Sequence, residues 1–334
     1  MNQDITTHDD LMACLGKTPP AIQLKVIDHL DTGAMRWLAA ATLAFIGYES
    51  NNRPSISLAA GPPGFASVSS ARQLTLPLNA LDTHPQFQRG DGFGSLFLVP
   101  SVGETLRVNG RVDRVDQTHV HIAVEECYIH CAKALIRSKF WDADVADKPE
   151  ADARTFLSRS TFMAVASMDA QGRVDVSPKG DPEQSLLRLE NEFLCYPERP
   201  GNRRADSLHN ILDQPYISAI AIIPGQSQVL YFGGRATISV ALTRREAFMV
   251  NARVPKLVTC VEHAQPTVHN SIRLADAGLW PSVPPPPELD PAAIMVGHVK
   301  LGRSSDLGGQ LMRRLANTRL TRSGLQFDYK KNLY

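Results

Sequence analysis

Apolar positions along this chain fall in short runs, with few of the three-and-four spaced stripes that mark amphipathic helices. Residues 162–167, 174–177, 192–196, 217–223 and 229–237 are rich in β-branched and aromatic side chains and are bounded by Gly, Pro, Asp or Asn, so they are predicted as strands. Many short strands at close spacing point to a small barrel or sandwich. Helices are expected at 21–30, 34–41, 205–212 and 243–252, with Asp206 and Ser207 capping the start of the third. The longest apolar runs, 39–47 and 216–224, are far short of the ~20 residues that a membrane helix needs.

The pattern repeats at long period. Residues 47–77 align with 167–197, so that Arg53 falls on Arg173, Ser57 on Ser177 and Pro77 on Pro197. Residues 96–112 align with 220–236, placing Pro100 on Pro224 and Arg111 on Arg235. Residues 127–141 align with 266–280, placing His130 on His269 and Trp141 on Trp280. Three blocks in one order, with an offset growing from 120 to 124 to 139, read as a duplicated unit with small insertions. The boundaries are drawn at 1–145 for the first copy, 151–281 for the second and 282–334 for a spacer and tail. A charged connector at 142–150 separates the copies, and proline-rich residues 281–293 lead to the tail.

Charge adds little at first sight, since 35 Lys and Arg against 34 Asp and Glu leave +1 and no field to attract nucleic acid. The balance is a cancellation: residues 294–334 carry eight Lys or Arg against Asp306 and Asp328, so a +6 tail offsets a −5 body. The beginning MNQDITTHDD lacks the basic-then-apolar layout of a signal peptide. Five cysteines, an odd and sparse set, are expected to be reduced thiols in a cytoplasmic protein.

The strongest chemical signal lies in the second copy. VDVSPKGDP (174–182) puts Lys179 just past a strand, and PERPGNRRADSLHNIL (197–212) gathers Arg199, Arg203 and Arg204 around a Pro-Gly turn before a helix. Fixed cations, backbone N–H groups at a Gly turn and a helix N-terminus are the parts that bind phosphate. A solvated basic turn is the plainer reading of the same spacing.

These residues carry a resemblance. GRVDVSPKGDP, then RPGNRRADSLHNIL, then IPG, are similar to the pyridoxamine 5′-phosphate oxidase-like family of FMN-binding split β-barrels. The first copy resembles that family through KVIDHLD (25–31), GPPGF (61–65), ETLRVNGRV (104–112) and HCAKALIRSKFW (130–141). Together these matches cover most of residues 21–281.

The resemblance implies a mainly β fold with peripheral helices (α+β), built as two tandem split β-barrels. It implies FMN as cofactor, with the phosphate held by Lys179, Arg203 and Arg204, with Arg199 and Asn202 nearby and Ser177 on the preceding strand. Family members are dimers that hold FMN at the interface, so the late segments of copy one would complete the site. Arg137 is then the foremost flavin contact, with Arg107 beside it.

The copies are damaged in complementary places. Copy one has Ala59 where copy two has Lys179, and NALDTH (79–84) where copy two has its arginine turn. Copy two loses Arg137 to Asp276. The expectation is an intramolecular pseudo-dimer with one intact FMN site and a second, dead or reshaped one. Its activity would be that of a flavin-dependent oxidoreductase acting on an unidentified small molecule, with no catalytic residue named. A non-catalytic flavin or deazaflavin (F420) carrier is the alternative, and two drifted copies without flavin the rival. No nucleic acid or membrane partner is expected, and further homodimerisation is left open.

Other motifs add less. His119, His121, Cys127, His130 and Cys131 are close in sequence, but no C-x-x-C or H-E-x-x-H is present and no metal is expected. No residue stands out as an axial haem ligand. GDGFGS (90–95) fails dinucleotide-fingerprint spacing and reads as a flexible loop, and no G-x-S-x-G occurs. Residues 307–320 have leucines near helical spacing among basic residues. They suit a helix packed over the barrel, or else a lid or docking arm.

Overall fold

The structure, a computed structural model, describes residues 4–145, 152–201, 203–302 and 307–334, and of residues 20, 21, 307, 308 and 312 the backbone alone. Strand β1 (Asp4–Ile5) and helices α1 (His8–Leu15), α2 (Pro20–Leu24) and α3 (Thr32–Ala40) precede the first copy. Its strands are β2 (Leu43–Ser50), β3 (Arg53–Ala60), β4 (Ser67–Ser70), β5 (Gln73–Pro77), β6 (Gly92–Leu98), β7 (Thr105–Val115) and β8 (His119–His130), followed by α4 (Lys133–Arg137). Helix α5 (Ala153–Arg159) opens the second copy, which contains β9 (Phe162–Met168), β10 (Val174–Gly180), β11 (Arg188–Glu190), β12 (Phe193–Pro197) and α6 (Asp206–Asp213). It continues through β13 (Tyr216–Ile222), β14 (Gln228–Ser239), α7 (Leu242–Glu246), β15 (Val258–Glu262), β16 (Thr267–Asn270) and α8 (Ile272–Asp276). Helices α9 (Pro291–Leu301), α10 (Leu307–Leu315) and α11 (Thr318–Lys331) follow.

The two copies share one topology. The first sheet runs β3-β2-β6-β7-β8-β5-β4 and the second β10-β9-β13-β14-β15-β12-β11, so each strand is replaced by the one seven places later. Even the register repeats: Thr105 pairs with His130 and Val229 with His269, as the offsets 124 and 139 require. All these pairs are antiparallel. Among the described residues the end strands β3 and β4 of the first sheet are not paired with each other, which leaves that barrel split; Ala59 on β3 bridges instead to Leu81, beyond β5. In the second copy β8 has two counterparts, since β15 pairs with the end of β14 and β16 with its beginning.

Each copy has its own core, and a third is shared. Leu43, Phe45, Leu58 and Leu96 from copy one pack with Phe162, Ala164, Val176 and Ile220 from copy two, and Phe140 seals the joint. The Phe45 and Phe140 rings lie 5.7 and 5.0 Å from that of Phe162. Along β2, Leu43 and Phe45 face this shared core while Ala44 and Ile46 face the core of copy one. Burial on both faces explains why the run at 39–47 lacks the apolar–polar alternation of a half-exposed strand.

Several expectations need correction. GDGFGS is no loop, because residues 92–98 form β6. A Cβ added at Gly92 would lie 1.9 Å from the carbonyl oxygen of Gly172, and one at Gly94 would lie 2.6 Å from that of Val174. These glycines let the two copies touch backbone to backbone. The five cysteines are not all free, since Cys195 and Cys260, register partners on β12 and β15, form a disulfide. Ala205, not Asp206 or Ser207, is the cap of α6, and no side chain caps it. The helix expected over 307–320 is broken into α10 and α11, with the Asn317 side chain capping the latter. Much of the connector at 142–150 lies outside the described residues. No described helix is long and apolar enough to cross a membrane.

Candidate functional site

β10 is an edge strand, so its outer row of backbone oxygens needs partners. Arginines from copy one supply them: Arg107 Nη2 donates to Val176 O at 2.7 Å and Arg137 Nε to Gly180 O at 2.8 Å. Between these two arginines and the far end of β10 lies a cavity of about 60 Å³. Copy one lines it with Arg107, His130, Cys131, Lys133 and Arg137, and copy two with Ser177, Lys179, Asp181, Glu198 and Arg199. The beginning of α6 (Ala205, Asp206 and Ser207) completes the wall. Five cations and three carboxylates face this space, and two further carboxylates, Asp175 and Asp328, pair with Arg107 and Lys133 from outside the lining.

Every cation lining this cavity has a partner. Lys179 pairs with Glu198. Arg199 Nε donates to Asp181 at 2.7 Å and its Nη2 to Phe248 O at 2.7 Å. The Asp181 carboxyl, fully enclosed, is pushed up to about 6 by burial, against the pull of Arg199 and Arg137. Arg137 reaches Pro200 O at 3.2 Å and Leu333 O at 2.9 Å. Arg107 is completely buried, 2.7 Å from Asp175 and 2.9 Å from Asp206, and donates to Tyr128 Oη at 2.5 Å. Burial pushes the His130 imidazole well below its usual range, which keeps it neutral.

A second cavity, of about 490 Å³, lies at the other end of β10 and shares Asp206 with the first. Asn109, Glu126, Asp169, Asp175, Arg204 and His209 are among its walls. Arg204 lies over the Tyr128 ring at 4.7 Å and bonds Asp206 at 3.0 Å.

Of the residues singled out in the sequence, Arg107, Arg137, Ser177, Lys179 and Arg199 meet around the smaller cavity, and Arg204 lines the larger. Arg203 lines neither: it is exposed, with a left-handed backbone (φ 59°) and a carbonyl that accepts from Thr18. Asn202 lies outside the described residues. The carboxylates of the site are not among the residues singled out in the sequence, although a signal is present. Lys179, Arg199 and Arg204 each have an acidic residue within two positions, namely Asp181, Glu198 and Asp206.

The clustered histidines and cysteines separate in space. His121 bonds Thr75 and Asp116, Cys127 is in the core, and only His130 and Cys131 reach the cavity. Among the described residues no three His, Cys, Asp or Glu side chains stand together as metal ligands. The pseudo-equivalent place in copy one is filled from within. Asp82, in the NALDTH segment, accepts from the Ser271 hydroxyl and from the backbone N–H of Arg273 at 3.2 Å, at the start of α8.

No protein-family model matches the chain, and no curated protein matches it. Among solved structures, HupZ of Group A Streptococcus is 21% identical over 37% of this chain and 94% of its own, with a TM-score of 0.29. An F420 reductase is 17% identical over 36% of this chain and 98% of its own, with a TM-score of 0.26. General stress protein 26 from Bacillus anthracis is 12% identical over 35% of this chain and 88% of its own, with a TM-score of 0.27. At such TM-scores these likenesses carry no argument about what this chain binds or does.

Proposed function

We propose that the chain is a flavin-dependent oxidoreductase that holds one FMN between its two copies. The observation that carries this reading is the smaller cavity, whose cations come from both copies: Arg107, Lys133 and Arg137 from one, Lys179 and Arg199 from the other. Its residues fit a phosphate. Five cations from the two copies converge on it, and the wall includes the start of a helix that no side chain caps. Lys133, Arg137, Lys179, Arg199 and the Ser177 hydroxyl would hold the phosphate, while the larger cavity along β10 would take the rest of the cofactor and a small substrate. Bound flavin supplies hydride or electron transfer, and the protein contributes binding and orientation. Asp82, bound at the start of α8, puts a carboxylate of the chain's own where a second phosphate would sit, which supports one site and not two.

Titration of the full chain with FMN tests this. One equivalent should bind, Lys179→Ala should weaken binding at least about tenfold, and the exposed Asn79→Ala should not. No uptake would refute the reading, and two equivalents would refute the single site. Bleaching of the bound flavin by a nicotinamide reductant would mark an oxidoreductase, whereas a flavin inert to reductants and acceptors would mark a carrier.

A further inference from the structure

The last residues of the described chain return to the cavity. Asp328 pairs with Lys133 Nζ at 2.7 Å, Leu333 O accepts from Arg137 at 2.9 Å, and the Tyr334 ring lies 5.5 Å from the Arg199 guanidinium. Tyr329 fastens the segment alongside, donating to Glu104 at 2.9 Å and accepting from the backbone N–H of Ala132 at 3.2 Å. Lys133, Arg137 and Arg199 are 3%, 8% and 7% exposed, and all three line the cavity. A buried cation needs an acceptor. Here one short segment supplies two of these cations with oxygens and the third with the face of a ring. Packing alone would ask for apolar contacts on this face, not for oxygens aimed at two cations and a ring laid over a third.

We propose that residues 328–334 are an intramolecular competitor for the anion site: a strap that must let go of Lys133 and Arg137 before a phosphate-bearing ligand is fully held. The ligand identity rests on the FMN reading above, but the competition does not. A phosphate offers the same two cations more charge and more oxygens than one carboxylate and one carbonyl, so it displaces the strap at sufficient concentration. Glu104 and Tyr329 then part, and the exposed Lys330 and Lys331 on the last turn of α11 come free of the barrel.

The test uses the full chain, with Asp328→Asn combined with Tyr329→Phe, both conservative changes at the barrel surface. FMN should bind the double variant about tenfold more tightly than the parent. Trypsin should cut at Lys330 or Lys331 several-fold faster when FMN or inorganic phosphate is added to the parent, and at the fast rate without ligand in the variant. Weaker FMN binding in the variant would overturn the proposal, because the segment would then be a clamp on the ligand. Unchanged affinity with unchanged cleavage would overturn it too. If no variant binds FMN, the flavin reading falls while the strap is judged by phosphate alone: faster cleavage supports it and equal cleavage overturns it.

Discussion

Arg107 shows how much of the site depends on single charges. Its guanidinium is enclosed and holds Asp175 and Asp206 together, and replacing it would leave two buried carboxylates without their main partner. Arg107→Met should therefore cost about 3–5 kcal/mol in stability. The loss should also depend on pH. Burial pushes the Asp175 carboxyl up to about 6 even beside Arg107. An acid whose folded value lies above its unfolded value holds its proton more tightly when folded, so stability falls as pH rises from about 4 to about 6. Removing the cation raises that value further and widens the window upward. Urea melts at about pH 5 and about pH 8 should show the larger Arg107→Met deficit at the higher pH; equal deficits would mean that Asp175 does not sense Arg107.

The arginine itself was legible in the sequence as part of ETLRVNGRV, but its role in joining carboxylates was not. Asp206 is 99 residues away, and no local pattern connects the two. Asp181 and Glu198 were legible as neighbours of Lys179 and Arg199, but which carboxylate answers which cation is decided by packing.

Among the elements, β6 departs furthest from its expectation. A Gly-rich hexapeptide reads locally as a loop because glycine favours turns and disfavours strands. Packing reverses that preference, since only a residue without Cβ lets β6 lie against the turn that precedes β10 and against β10 itself. Gly92→Ala should cost about 1–3 kcal/mol, by forcing the copies apart. Gly324→Ala, in α11 with nothing within 4 Å of its added Cβ, should be neutral or stabilise by up to about 1 kcal/mol. Thermal melts of the two variants decide this, and similar behaviour would contradict the close approach. Helix starts were less legible than strands. Asp206 has the chemistry of a cap, yet it stands one residue inside α6, where its carboxylate serves Arg107 and Arg204.

In the whole molecule the shared core decides how the copies behave. Phe45, Leu58 and Leu96 cover Phe162, Val176 and Ile220, so unfolding one copy exposes a large apolar face of the other. Denaturation should follow one cooperative transition, coincident by tryptophan fluorescence and far-UV circular dichroism. Two separated transitions would show that the copies are stable independently. Trp37 reports the core of copy one, and Trp141 and Trp280 the joint.

The sequence by itself determined the duplication and the strand-rich character, and it singled out Arg107, Arg137, Ser177, Lys179 and Arg199, which meet around one cavity. Each of these is written in local composition or in a repeat that can be laid on itself. The tertiary structure alone decided which carboxylate answers which cation, that Cys195 meets Cys260 across 65 residues, and that Tyr329 reaches Glu104 across 225. Such pairings come from the way two sheets and a tail pack in space. Periodicity records which face of an element is buried but not what covers it.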